Sequence, residues 1–230
     1  MALAPIPSPV DASPVSSAPA PARVYLAGTL FNVREVSGNV ELAEAIEAAA
    51  AATEGRAIRC VLPQELPFPA QPSPVDIRNT DIAAVLGADA LVLQFDGLEL
   101  DSGTVAEFML AKAADIPCVL LRTDIRAGGD QSGPDAEPWN LMLSGWPRTR
   151  TVLVPSLLMW VASAGTGTRA ERLAALYAET ARRTVEALRD VLCRPPLLRG
   201  EEAATVRAWV ARMSVDTAAS SPGGRARQAD

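Results

Sequence analysis

Three carboxylates, Asp96, Glu99 and Asp101, crowd into six positions, and a fourth, Glu107, follows one and a half helical turns after Asp101. Asp101 and Ser102 are both good N-caps for a helix starting there, because a short side-chain oxygen can accept from the free amides of the first turn. Glu107 then falls early in that helix, where the macrodipole is expected to help keep it ionised. An ionised carboxylate in a sheltered pocket is what attack on the anomeric carbon of a sugar requires, and a second carboxyl beside it is the usual companion. A blander reading stands next to this one, since acidic residues before a helix are commonly caps and solvated surface. On the same footing Asp81, on a short helix of mixed polarity, defaults to surface, and Tyr25, inside an apolar run, defaults to core.

The rest of the composition narrows the chemistry. The chain of 230 residues has no histidine, which removes Ser-His-Asp and Cys-His arrangements and disfavours a zinc site. Proton transfer falls to carboxylates, tyrosine, lysine or water. Three cysteines (Cys60, Cys118 and Cys193) lack any CxxC spacing, and two lie in apolar runs, as buried thiols of a reducing compartment would. A net charge of −6 argues against a binder of nucleic-acid backbones. No apolar run reaches the ~20 residues of a bilayer span; the best, Thr151 to Ala164, is interrupted by Pro155 and Ser156. Neither GxxxxGK[ST] nor GxGxxG after the first strand is present, so no nucleotide cofactor or metal is expected.

The elements that would position these residues alternate. Strand-like runs cover Arg23 to Gly28, Ile58 to Leu62, Ala90 to Asp96, Pro117 to Arg122 and Thr151 to Val154. Helical patterns cover Asn39 to Glu54 (stopped by Gly55), Val75 to Leu86, Ser102 to Asp115, Thr168 to Leu192 and Glu201 to Met213. Strands too apolar to have a wet face, separated by helices, predict an α/β protein with a doubly wound, five-stranded parallel sheet. In such sheets ligands bind beyond the carboxyl ends of the strands. Two loops there hold unusual residues: Gly28 to Asn32 after strand one, and Asp96 to Thr104 after strand three. The expected organisation is a Pro/Ala/Ser-rich tail at 1–22, a catalytic domain at 23–155, a C-terminal helical extension at 156–214 and a second tail at 215–230. Neither a secretory nor a mitochondrial leader pattern is evident at the start, so a cytoplasmic location is expected. Trp139, Trp146 and Trp160 read as packing or subunit contact.

Four segments, in order, carry a family resemblance: VYLAGTLFN (Val24 to Asn32), DIRNTDIAAVLGADALVLQFDG (Asp76 to Gly97), DSGTVAEFMLAKAADIPCVLL (Asp101 to Leu121) and WNLMLSGWP (Trp139 to Pro147). Together they resemble the nucleoside 2-deoxyribosyltransferases. The resemblance implies a flavodoxin-like fold and transfer of a 2-deoxyribosyl group between nucleobases, with retention, through a glycosyl ester. It places the nucleophile on Glu107, the glutamate of a D-x-G-x-x-x-E helix start. Asp101 would position the sugar hydroxyls, Asp81 would bind the base and pass it a proton, and Tyr25 would lie near the nucleophile. Substrate contacts would come from Gly28, Phe31, Gln64, Asp96 and Gly103. Asn140 and Met142 would also contact substrate, with Asn140 reaching into a neighbouring subunit's site and making the protein a homo-oligomer. Its partners would be nucleosides and free bases, with no nucleic-acid polymer and no membrane.

A fixed charge at Asp101 favours a free nucleoside over a 5′-phosphate, with Ser102 beside it as a counterweight. The chain departs from small members of the family in its long first segment, an Asp/Gly-rich insertion (Ala127 to Glu137) and its C-terminal helices. It ends in Gln228-Ala229-Asp230, so the C-terminal tyrosine that closes the base pocket in some members is expected to be missing or replaced. Two other readings use the same residues: an N-glycosidase that lets water replace the acceptor base, and a nucleoside-binding module without turnover.

Overall fold

In the computed structural model residues 19–215 are described; most of both expected tails (1–18 and 216–230), with the C-terminal Gln-Ala-Asp, lies outside them. Five strands, β1 (Ala22–Ala27), β2 (Ile58–Val61), β3 (Ala90–Gln94), β4 (Cys118–Arg122) and β5 (Thr149–Leu153), pair in parallel in the order β2-β1-β3-β4-β5. The order reverses between β1 and β3, which opens a crevice at their carboxyl ends. Six helices join them among the described residues: α1 (Val33–Ala51), α2 (Pro74–Leu86), α3 (Ser102–Ala113), α4 (Ser156–Ala162), α5 (Arg169–Cys193) and α6 (Gly200–Val215).

The period-two alternation of the strands divides the core. Val24, Leu26, Val92, Val119 and Leu121 face one side, where Leu42 and Ile46 of α1 and Ala181, Val185, Leu188 and Val191 of α5 cover them. Tyr25, Leu91, Leu93 and Leu120 face the other side, against Val85 of α2, Phe108 and Ala111 of α3, and Trp139. The long α5 is therefore one of the two helices that cover a sheet face, and α6 lies against α2 and α3. Cys60 and Cys118 are buried, and Cys193 is exposed.

The strands and helices expected from the sequence are all present, with three local differences. Helix α1 starts at Val33 rather than Asn39, because Asn32 caps it, its Oδ1 accepting from Arg34 N (3.0 Å) and Glu35 N (3.2 Å). Val33, Val36 and Gly38 are weak helix formers that hid this first turn and a half. That helix also ends at Ala51, short of Gly55, whose φ is +125°. Helix α4 was expected as no helix at all. Pro155, read as an interruption of an apolar run, stands at its N-terminal boundary, a position proline favours because no helical amide is lost there. No helix among the described residues is long and apolar enough to cross a membrane.

Candidate active site

Tyr25 is fully buried because β1 is an interior strand and its odd-numbered face packs under α2 and α3. Its hydroxyl nevertheless finds a partner, donating to Glu107 Oε1 at 2.6 Å. The core reading and the site reading of this residue are thus both satisfied by one side chain. Glu107 is delivered by α3, whose start is set by Asp101. The Asp101 carboxylate accepts from Thr104 N (2.7 Å) and Thr104 Oγ1 (2.9 Å), both through Oδ2. Thr104, Phe108 and Ala111 form the buried stripe of α3, and Glu107 lies at its edge, partly buried.

Asp81 comes from α2, whose first turn is fixed by a reciprocal capping box between Ser73 and Asp76, with Pro74 at the first helical position. Asp81 is partly buried rather than on open surface, and it is close enough to raise the pKa of both Tyr25 and Glu107 by charge repulsion. Asp101 acts on Glu107 in the same direction.

Electrostatics at the pair differ from the sequence expectation. Burial pushes the Glu107 carboxyl up to about 7, and the hydrogen bond from Tyr25 only partly opposes this. The helix dipole was expected to keep Glu107 charged, but loss of hydration outweighs it six residues into α3. Burial, then the Glu107 charge, raises the Tyr25 phenol, so it stays a proton donor. Burial also raises Asp81. Two carboxyls raised by burial, Glu107 and Asp81, therefore stand near a phenol that keeps its proton.

The remaining sequence-selected residues fall into separate groups. Gly28 follows β1, and a Cβ there would sit 2.5 Å from Gln94 Nε2. That close approach lets Gln94 donate to Asn39 Oδ1 (2.8 Å), while Asn39 Nδ2 donates to Thr29 O (3.0 Å) and Gln64 Oε1 (3.0 Å). Gln64 Nε2 in turn donates to Val36 O (3.0 Å), so both ends of its amide are turned toward α1. Phe31 stands free before α1, 81% exposed. Gly103 is exposed in the first turn of α3, where a Cβ would lie 3.1 Å from Asp101 Oδ2. Asp96 staples two loops, accepting from Thr123 N (2.6 Å), Thr123 Oγ1 (2.6 Å) and Asp124 N (2.9 Å). It also lines a cavity of about 400 Å³ between α1 and α5, on the opposite side of the sheet from Glu107.

Asn140 caps a 3-10 turn, Leu141–Leu143, by accepting from Met142 N (3.0 Å), and it donates to Asp130 Oδ2 (3.3 Å). With Met142, which is 65% exposed, it borders an apolar groove of about 700 Å³ lined also by Leu98, Val105, Met109 and Leu143. Among the described residues no hydrogen bond joins either residue to Glu107 or Asp81. Trp139 is buried, as packing required. No cluster of three metal-ligating side chains occurs among the described residues. Sequence reasoning passed over Asn39, Gln94 and Arg122; the visible signal for the last was a lone arginine closing the apolar run PCVLLR.

A partly buried carboxyl hydrogen-bonded to a buried phenol, with a second carboxyl nearby, thus lies on one face of a five-stranded parallel sheet in an α/β protein. The family model described as nucleoside 2-deoxyribosyltransferase matches residues 24–142, which span β1 to the Asn140 turn, and the chain belongs to that family. Among solved structures, a conserved protein from Enterococcus faecalis V583 is 29% identical, with 60% of this chain and 95% of that one covered at a TM-score of 0.48. The 2-desoxiribosyltransferase from Leishmania mexicana is 22% identical (56% and 90% covered, TM-score 0.41). A CMP N-glycosidase from Clostridium botulinum is 14% identical (58% and 89% covered, TM-score 0.37). No curated protein matches the chain.

Proposed function

We propose that the chain transfers a 2-deoxyribosyl group from a deoxynucleoside to a free nucleobase, with Glu107 as the nucleophile. Family membership supports an enzyme acting on nucleosides by transfer or by N-glycoside hydrolysis. The observation that carries the finer reading is the 2.6 Å hydrogen bond from Tyr25 to Glu107 Oε1. It fixes one oxygen, lowers the pKa of a carboxyl that burial has raised, and leaves the second oxygen as the attacking atom.

In the first half-reaction that oxygen donates its electron pair to C1′ as the bond from C1′ to the base nitrogen breaks. The base leaves with the bonding pair and takes a proton from the Asp81 carboxyl, whose raised pKa suits an acid. The product is a deoxyribosyl ester of Glu107. In the second half a different base attacks C1′ from the vacated face, Asp81 recovers a proton from it, and Glu107 leaves as carboxylate. Two inversions give net retention. Asp101 holds the start of α3 with Oδ2, and Oδ1 is proposed to meet the sugar hydroxyls. Asn140 and Met142, exposed beside an apolar groove, are proposed to complete the pocket of a second copy.

Incubation with deoxyuridine and adenine tests the reaction. Deoxyadenosine and uracil are the expected products. Free deoxyribose without deoxyadenosine would mark the chain as an N-glycosidase instead, and consumption of neither substrate would overturn both.

A further inference from the structure

At the carboxyl end of β4 stands Arg122, 1% exposed. Among the described residues no carboxylate pairs with it. Its guanidinium ends on backbone carbonyls alone: Nη1 donates to Phe95 O, and Nη2 donates to Gly97 O (2.9 Å) and Arg126 O (2.5 Å), while Nε is buried without a partner. A buried cation without a counter-charge is costly, whereas an apolar residue would continue the strand pattern without a charge to desolvate. What the fold gains in return is a tie among three backbone carbonyls from two loops.

What Arg122 grips is the junction of the two loops that lead to Glu107 and to Asn140. Phe95 and Gly97 begin the loop that runs to the Asp101 cap and the Glu107 helix. Gly97 takes a φ of +95° and its amide donates to Asp124 Oδ2 (3.2 Å), so the loop is sewn to the β4 loop from both directions. The Phe95 ring packs edge-on against Phe108 (5.9 Å between centroids), the residue after Glu107, and against Trp139 (5.2 Å), the residue before Asn140. The Arg126 carbonyl lies on the segment leading to Gly129, which passes so close to the Trp139 backbone that a Cβ would sit 2.2 Å from Trp139 C.

We propose that Arg122 is a positioning residue for glycosyl transfer: by fixing Phe95, Gly97 and Arg126 at once, it sets the Glu107 helix and the Asn140 turn in register with each other. The inference rests on the reaction proposed above. Its energetic logic is that of orientation, where a displacement of about 1 Å costs on the order of 100-fold in rate.

The test compares R122M and R122K with the wild type in the deoxyuridine–adenine assay, alongside urea unfolding and amide exchange. R122M removes the charge and the fork at similar volume. It is expected to lower kcat by about 100-fold, well beyond any fall in the unfolding midpoint, and to leave KM for adenine within about threefold. R122K, which can still reach carbonyls but not three at once, is expected to recover part of kcat. Exchange at the Gly97, Thr104 and Val105 amides is expected to rise at least tenfold in R122M, with the β1 and β3 amides unchanged. A kcat within threefold of wild type, a loss that merely tracks a lowered unfolding midpoint, or unchanged exchange at those three amides would overturn the proposal. The exchange arm needs no turnover, so an inactive wild type would sink the proposed reaction while exchange still judges what Arg122 holds.

Discussion

Replacing Glu107 with glutamine is expected to abolish turnover and, at alkaline pH, to make the protein more stable. The amide keeps an oxygen for the Tyr25 hydroxyl and nearly the same volume, so the change is confined to the charge. Folding raises this carboxyl from 4.5 to about 7. The neutral form is therefore the one the fold tolerates: the associated stability is intact below about pH 4.5 and is lost as pH climbs through about 7, after which the deficit is constant. At about 1.4 kcal/mol per pH unit, the raised pKa of this side chain costs the fold about 1 kcal/mol at pH 5 and at most about 3 kcal/mol at pH 8.5. Urea unfolding of the wild type and E107Q at those two pH values reads the difference directly. The advantage of E107Q is expected to widen by about 2 kcal/mol between them. A gap that stays constant with pH, or a variant that is relatively less stable at pH 8.5, would refute the claim that Glu107 is held where water cannot fully solvate it.

Substitutions at three other residues follow from the same geometry. In the wild type the rate is expected to rise with pH through about 7 as Glu107 ionises; in Y25F the hydrogen bond that lowers its pKa is gone, so this limb moves to higher pH, and an unmoved limb would separate Tyr25 from the nucleophile. D81N is expected to slow cleavage by about 100-fold or more for at least one base, measured by release of free base, and equal rates for every base would remove Asp81 from the reaction. D101A is expected to cost about 1 kcal/mol through the lost cap as well as activity, whereas D101N keeps the cap. Equal unfolding midpoints for D101A and the wild type would count against the capping role.

How far the sequence reached depends on whether a feature is local. The strands were legible because each is an apolar run between turn residues, and α3 because Asp101 and Ser102 announce a helix start. Asn32 gave the same kind of signal for α1, but the valines and Gly38 after it masked the turn, and packing against the sheet decided the matter. The family resemblance set Tyr25 near Glu107, but composition and spacing could not join them, since 82 residues separate them and only the β1–β3 pairing brings α3 over β1. The upward shift of Glu107 was illegible for the same reason: the dipole can be read from position in a helix, while burial depends on what packs over it. Arg122 was the least legible, because a terminal arginine on a strand is ordinarily solvated, and its carbonyl partners come from two loops that meet only in the folded chain.

Intact-protein and peptide mass measurement after rapid acid quench of a reaction with deoxyuridine alone bears most directly on the nucleophile. The account predicts a single deoxyribosyl adduct, on the peptide containing Glu107, that disappears when adenine is added before the quench and never forms in E107Q. Turnover with no adduct on that peptide, or an adduct that persists in E107Q, would contradict it.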